Sequence, residues 1–299
     1  MGLRNNLNSW GIKRIQPLLV ALLFLQSALA LSFSANSPTT TKKVAVFGGT
    51  GYVGSQVCAR LIQKGFDVTA VSRRGANPKP NDALLSQVNW IQGDATDYNT
   101  VNKIVKESDA VVHSIGLLFD VNSGLQGLNK IVSGSGSLPG EDSTYDNITR
   151  LTMFNVIQAM DAKMSNPFAK SKRMPLCFVS CAEAGWPDVA FGDFVEDKLA
   201  PEWLQMYLKA KRAVEVKLGE SKKNIRACIY RPSLIWDWTK FDVLPVIPVF
   251  NVASAIGVPF VDKTVRVETL ADAIVQGIID DNVEGVQRYM QMEQLAARK

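Results

Sequence analysis

Tyr207 and Lys211 stand four residues apart in the stretch Glu202 to Leu218, so both face one side of any helix formed there. A phenol beside an ammonium group is a proton-transfer pair. The lysine lowers the phenol pKa and can hold a ribose, while the phenol passes a proton to or from a substrate oxygen. The alternative is a core tyrosine with a solvated lysine on an amphipathic helix.

A second constellation is Gly48, Gly51 and Gly54, a G-x-x-G-x-x-G turn between the run KVAVF (43–47) and the helix-periodic SQVCARLIQKG. With Thr50, Tyr52 and Val53 it gives a backbone that turns tightly, lets a pyrophosphate approach, and presents helix N-terminal N–H groups to its charge. A glycine turn that binds nothing is the alternative. After the next strand, where an acid would select NAD, the chain reads Ser72-Arg73-Arg74. Two guanidiniums suit a 2′-phosphate, so NADP is preferred and NAD stays open, as does a plain surface role for the arginines. Asp94 and Ala95 follow the third strand at the expected adenine edge, Asp94 accepting from an exocyclic amine or capping the next helix. Ser114 and Gly116 end the strand DAVVHSIG beside the dinucleotide as contacts, and Lys211 adds a ribose contact.

Other chemistries lack residues. The one histidine, His113, lies in that apolar strand and reads as a core residue satisfied by a backbone group. Cys58, Cys177, Cys181 and Cys228 are scattered without a C-x-x-C pair, so no metal site and no disulfide framework is expected. Five of the 33 Lys and Arg fall within residues 1–43, which hold no acid, leaving as many bases in the body as its 28 acids. A neutral body lacks the field that nucleic-acid binding requires.

The elements that must position these residues alternate. Strands are expected at 43–47, 67–72, 88–94, 109–116, 175–180 and 224–232, with helices following the glycine turn and at 99–107, 144–162 and 202–218. This is an α/β chain: a Rossmann-type doubly wound parallel sheet with a small C-terminal substrate-side region. Residues 43–232 form the NAD(P)-binding domain and 233–299 the substrate-side region of the same domain. Residues 123–141, rich in Gly and Ser, read as a surface loop near the cofactor. Phe241 to Phe260 is apolar, yet Pro245, Pro248, Pro259 and Asn251 argue against a membrane span and for an apolar pocket lining.

Residues 1–42 read as a targeting leader. A basic, polar start precedes the apolar run Ile15 to Ala30, and small residues follow, as in a signal peptide. Ser32 to Lys43 is rich in Ser and Thr and has no acid, which is transit-peptide chemistry. With cleavage after Ser32 the new N-terminus is Phe33, and the junction resembles bipartite plastid presequences. A plastid reached through an ER-type signal peptide is expected; a mitochondrion, plain secretion or a retained anchor are the alternatives.

GGTGYVG, GDATD, VVHSIG, YLKAK, YRPSLIW and VRVETLADAI occur in the order found in the short-chain dehydrogenase/reductase superfamily, extended or atypical branch, which the chain resembles over about residues 43–280. More narrowly it is similar to the group of the nucleotide-binding accessory subunit of complex I and reductase-like proteins of ubiquinone biosynthesis. The resemblance implies a Tyr207–Lys211 catalytic pair. The serine that assists the tyrosine in this family falls by register on Ala182, leaving Ser180 as the nearby hydroxyl, and Thr149 stands about where extended members carry an active-site Asn. Two functions follow as expectations. One is an oxidoreductase acting on a small hydrophobic carbonyl, isoprenoid or quinone-related substrate. The other is a catalytically silent accessory protein of a membrane-associated quinone or electron-transfer complex, with peripheral membrane or membrane-complex association.

Overall fold

In β1 (Lys43–Phe47) burial on both faces dictates the layering: Val44 and Val46 join one apolar cluster, Ala45 and Phe47 the other, following the two-residue period of a strand. The computed structural model describes residues 41–129, 140–165, 172–238 and 247–298. The chain divides into the units Met1–Thr41 and Lys42–Lys299, and all described elements belong to the second. Residues 1–40 of the leader, 130–139 of the Gly/Ser-rich loop and 241–246 of the apolar stretch lie outside the described residues.

β1 pairs in parallel with both β2 (Asp67–Ser72) and β4 (Ala110–His113). With β3 (Asn89–Gln92), β5 (Met174–Val179), β6 (Ile225–Tyr230) and β9 (Gly285–Gln287), they form a seven-stranded parallel sheet in the order β3-β2-β1-β4-β5-β6-β9. A two-stranded ribbon, β7 (Ile235–Trp236) and β8 (Val265–Arg266), stands apart from it. The order reverses between β1 and β4, so the loops leaving their C-terminal ends part and open a crevice, the place where such sheets bind ligands.

One face of the sheet is covered by α1 (Tyr52–Gln63), α7 (Val267–Ile279) and α8 (Tyr289–Ala296), and the other by α2 (Tyr98–Lys106), α3 (Thr152–Met164) and α5 (Glu202–Glu220). Two smaller helices, α4 (Gly192–Lys198) and α6 (Ile247–Ala255), belong to the excursions beyond β5 and β6.

The sheet departs from expectation at its far edge. β9 and its flanking helices come from the C-terminal region, so only part of 233–299 is on the substrate side; the apolar faces of α7 and α8 return the chain to the core. The cap of α2 also differs. Asp97, not Asp94, accepts from the backbone N–H groups of Asn99 and Thr100 at 3.1 and 3.2 Å, while Asp94 accepts from the backbone and hydroxyl of Thr96 in a tight local turn.

Candidate active site

The crevice widens into a cavity of about 1510 Å3, larger than most small-molecule pockets and roomy enough for a dinucleotide together with a second molecule. Its wall includes Gly48, Thr50, Gly51, Tyr52, Val53, Ser72, Arg73, Arg74, Asp94, Ala95, Ser114, Gly116, Ser180, Tyr207 and Lys211. Thus every residue expected from the sequence to bind the cofactor or to take part in catalysis lies on it except Gly54. That glycine sits behind the turn, where a Cβ would lie 2.2 Å from the Gly48 carbonyl oxygen and 2.7 Å from Ser114 Oγ. Gly48 has φ +86°, a left-handed conformation that favours glycine, and a Cβ there would lie 2.9 Å from the Ile115 backbone nitrogen. The turn is therefore clamped between the start of α1 and the end of β4. Ser114 holds the clamp from the other side, its hydroxyl donating to the Phe47 carbonyl at 3.0 Å.

At the other end of the cavity stand the residues of α5. Lys211 is 2 % exposed and donates to the Val179 carbonyl at 2.8 Å, with its ammonium 4.9 Å from the Phe178 ring centre and 5.5 Å from that of Tyr207. Burial lowers its pKa from 10.5 to about 8, against the raising charges of Cys181 and Glu215. Tyr207 is half-buried and packs edge-on against Tyr145 at 5.6 Å. Its phenol is pushed well above its ordinary range by burial first, then by Cys181, Glu183 and Tyr145. The expected lowering by the lysine is not what the site does, because burial and the surrounding acids outweigh the ammonium. The phenol is a proton donor at neutral pH.

Lys211 carries a testable cost. In the folded chain it loses its proton near pH 8, and in the unfolded chain near 10.5. The unfolded state binds more protons between those values, so stability rises with pH across that window. Below pH 8 the buried charge costs up to about 3 kcal/mol, offset in part by the hydrogen bond to Val179. Lys211→Met is expected to melt a few degrees higher than the parent at pH 7, without nucleotide, and the gap should close between pH 8 and 10.5. A gap that stays constant over that range in thermal melts would refute the assignment.

Ser180 is buried at the end of β5 and donates to Glu215 Oε1 at 2.6 Å; Arg231 donates to the same oxygen at 3.1 Å. Its proton is committed to that ion pair, although its oxygen can still accept. Ala182 begins the 3-10 turn Ala182–Asp188 that follows β5, and the next residue, Glu183, is on the cavity wall. Sequence reasoning passed over Glu183; the available signal was a carboxyl three residues beyond an apolar strand.

A π-helical turn, Asp146–Leu151, leads into α3. Its wider winding puts Asn147 and Ile148 on the cavity wall, whereas Thr149 is fully buried away from it. The amide on the wall in this turn is therefore that of Asn147, two residues before Thr149. Asn155 was also missed: from α3 it donates to the Ala95 and Thr96 carbonyls at 3.0 and 2.9 Å and fixes the loop after β3. His113 is a core residue, as expected, but its partner is a side chain. Nε2 lies 2.9 Å from Thr152 Oγ1, which itself donates to the Ile148 carbonyl, so the ring nitrogen is the donor. Burial lowers its pKa to about 3, keeping the ring neutral. Among the described residues no helix is long and apolar enough to cross a membrane, and no cluster of His, Cys, Asp or Glu could hold a metal ion.

A parallel doubly wound sheet with a glycine turn at its switch point, and a Tyr-x-x-x-Lys helix across the crevice, is a Rossmann-type arrangement. The chain is similar to the extended branch of the short-chain dehydrogenase/reductase superfamily. The model of the NAD dependent epimerase/dehydratase family matches residues 44–132. MIOREX complex component 2 of Saccharomyces cerevisiae is 24% identical over 217 residues, 65% of this chain and 73% of that protein. An uncharacterized chloroplastic protein of Arabidopsis thaliana is 40% identical over 76 residues, 25% of each chain. The solved structure of ElxO with NADP bound shares the fold with a TM-score of 0.57 at 16% identity, covering 83% of this chain and 97% of ElxO.

Proposed function

We propose that the protein is an NADP(H)-dependent oxidoreductase acting on a small hydrophobic carbonyl, isoprenoid or quinone-related substrate. The observation that carries this reading is the convergence of Tyr207 and Lys211 on the cavity that the glycine turn opens. The turn fits a dinucleotide: without a Cβ at Gly48 and Gly54 it closes tightly against the end of β4, and Gly48, Gly51 and the start of α1 are left on the cavity wall. In this reading the turn holds the pyrophosphate, Arg73 and Arg74 the 2′-phosphate, and Asp94 and Ala95 the adenine edge. Ser114 and Gly116 flank the dinucleotide, and Lys211 holds the ribose. A bound nicotinamide supplies hydride to the substrate carbon. Tyr207, protonated at neutral pH, donates to the substrate oxygen, and Ser180 and Lys211 support it.

The wall supports this substrate class. Leu117, Trp186, Val195, Trp203, Phe250 and Phe260 line the cavity, and the cations among the described lining residues are Arg73, Arg74 and Lys211. A sugar nucleotide of the epimerase type brings its own diphosphate, for which no cation remains once a dinucleotide occupies those three. A neutral, apolar molecule with one oxygen to reduce meets no such deficit.

Ala182 in the place of the family serine supports a second reading, a nucleotide-binding accessory component that does not turn over. The yeast relative's name, a component of a complex, supports it too. Exposed Phe191, Phe194, Leu199, Val249, Val252 and Ile256 would suit peripheral association with a membrane or membrane complex. The narrower likeness to the complex I accessory subunit and ubiquinone-biosynthesis group belongs here. So do the division into residues 1–42, 43–232 and 233–299 and a plastid location reached through an ER-type signal; the chloroplastic relative favours that organelle, a mitochondrion or the secretory pathway being the alternatives.

The experiment compares NADPH with NADH in the parent and in the double variant Arg73→Ala with Arg74→Ala, with an apolar aldehyde as substrate. Each lost charge-assisted hydrogen bond is worth roughly 1.5 to 3 kcal/mol, so NADPH binding is expected to weaken tenfold or more and NADH binding little. Equal losses for the two nucleotides by calorimetric titration would overturn the NADP assignment.

A further inference from the structure

We infer that Glu183 is a catalytic residue of this site, a carboxylic acid that hydrogen-bonds the substrate oxygen in the place left by the missing serine. The inference rests on the oxidoreductase reading of the same cavity and goes further in naming the second donor. Its basis is what the end of β5 offers. Ser180 donates its hydroxyl hydrogen bond to Glu215, and Glu215 is held by Arg231. Cys181 is buried, its thiol pushed up to about 12 by burial first and then by Glu183. Ala182 has no polar side chain, and its backbone N–H is used by the Pro232 carbonyl at 2.8 Å. The 3-10 turn then brings Glu183 onto the cavity wall with Tyr207 and Trp186. It neighbours the Tyr207 phenol, which places carboxyl and phenol around one space.

The groups facing Glu183 come from three elements. Cys181 at the end of β5 neighbours it, as do Tyr207 of α5 and Asp262 of the segment before β8. Arg288 does not reach it as a partner, being bonded to Asp262 at 2.7 and 3.1 Å. Burial raises the Glu183 carboxyl above the usual range, and Asp262 adds to the rise, against the Cys181 bond and a backbone N–H. That direction favours the protonated form, and a protonated carboxyl has a proton to share with an oxygen, as an ionised one does not. The arrangement also suits the substrate class: two neutral donors, phenol and carboxyl, meet one carbonyl oxygen, and an anionic substrate would face an acid instead.

The test uses the whole protein loaded with NADP, with duroquinone as the probe, and reads protonation and binding, with NADPH consumption followed in a separate assay. An infrared difference spectrum of the parent minus Glu183→Gln at neutral pH should contain the C=O stretch of a protonated carboxyl, moving to lower frequency when duroquinone is added. Quenching of Trp186 and Trp203 fluorescence gives the affinity for duroquinone. It is expected to fall about three- to tenfold in Glu183→Leu, the worth of one hydrogen bond, and to stay within about twofold in Glu183→Gln, whose amide still donates. No protonated band in the parent, a band that duroquinone does not move, or equal affinity in all three proteins would each overturn the proposal. A protein that never consumes NADPH but shows the moving band would sink the oxidoreductase reading and leave Glu183 as a donor. A protein that turns over normally without the band would do the reverse.

Discussion

Tyr207→Phe is expected to lower kcat by about 10² to 10⁴ and to leave NADPH affinity within about twofold of the parent. The ring is retained, so its edge-on contact with Tyr145 and its place above Lys211 survive, and the fold has no reason to respond. Only the hydroxyl goes, and its work is done in the transition state, where negative charge grows on the substrate oxygen. Because burial and neighbouring acids keep the phenol protonated, the loss should be greatest in the direction of carbonyl reduction near neutral pH. Steady-state kinetics with an apolar aldehyde, paired with a nucleotide titration, separate the two effects. Comparable losses in rate and in nucleotide affinity would assign Tyr207 to packing.

Gly54→Ala is expected to weaken NADPH binding by about 100-fold or more, the worth of two charge-assisted hydrogen bonds from the turn, and to destabilise the protein by about 1 to 3 kcal/mol. The added methyl would meet the Gly48 carbonyl oxygen at 2.2 Å, a backbone atom already set by a left-handed residue that leans on Ile115. Neither side can yield without moving the turn off the phosphate position. Gly219 is the control. It lies near the end of α5, and a methyl added there would meet nothing within 4 Å, so Gly219→Ala should leave affinity within about twofold. Similar losses at the two positions in calorimetric titration and thermal melts would contradict this view of the turn.

Much of this site was legible in the sequence because its signals are local. A β-branched run, three glycines and a helix period are contiguous, and they gave β1, the turn and α1 with both strand ends in place. Tyr207 and Lys211 needed only the 3.6-residue period. The missed features depend on what the chain meets elsewhere. The strand β9 is three residues long and is specified by pairing with β6, not by its own pattern. The π turn before α3 has no sequence signature, yet its winding puts Asn147 on the wall and hides Thr149. In Asp94-Ala-Thr-Asp97 both acids can cap; the second wins because it immediately precedes α2 and also accepts from the hydroxyl of Thr100 at 2.5 Å. Glu183 would have been an ordinary surface acid without the turn that points its carboxyl inward.

The direct measurement is deuterium transfer. The purified body of the protein is given NADPH deuterated at the reactive nicotinamide carbon, with a series of apolar aldehydes, ketones and quinones and with UDP-glucose, and the products are analysed by mass spectrometry. The expected result is deuterium on the reduced carbon of at least one apolar carbonyl, or NADP formed in proportion to hydroquinone where the acceptor is a quinone, with no product from UDP-glucose and none from Tyr207→Phe. A protein that binds NADPH at micromolar concentration and reduces nothing in the series would contradict the oxidoreductase account and decide for a nucleotide-binding accessory protein.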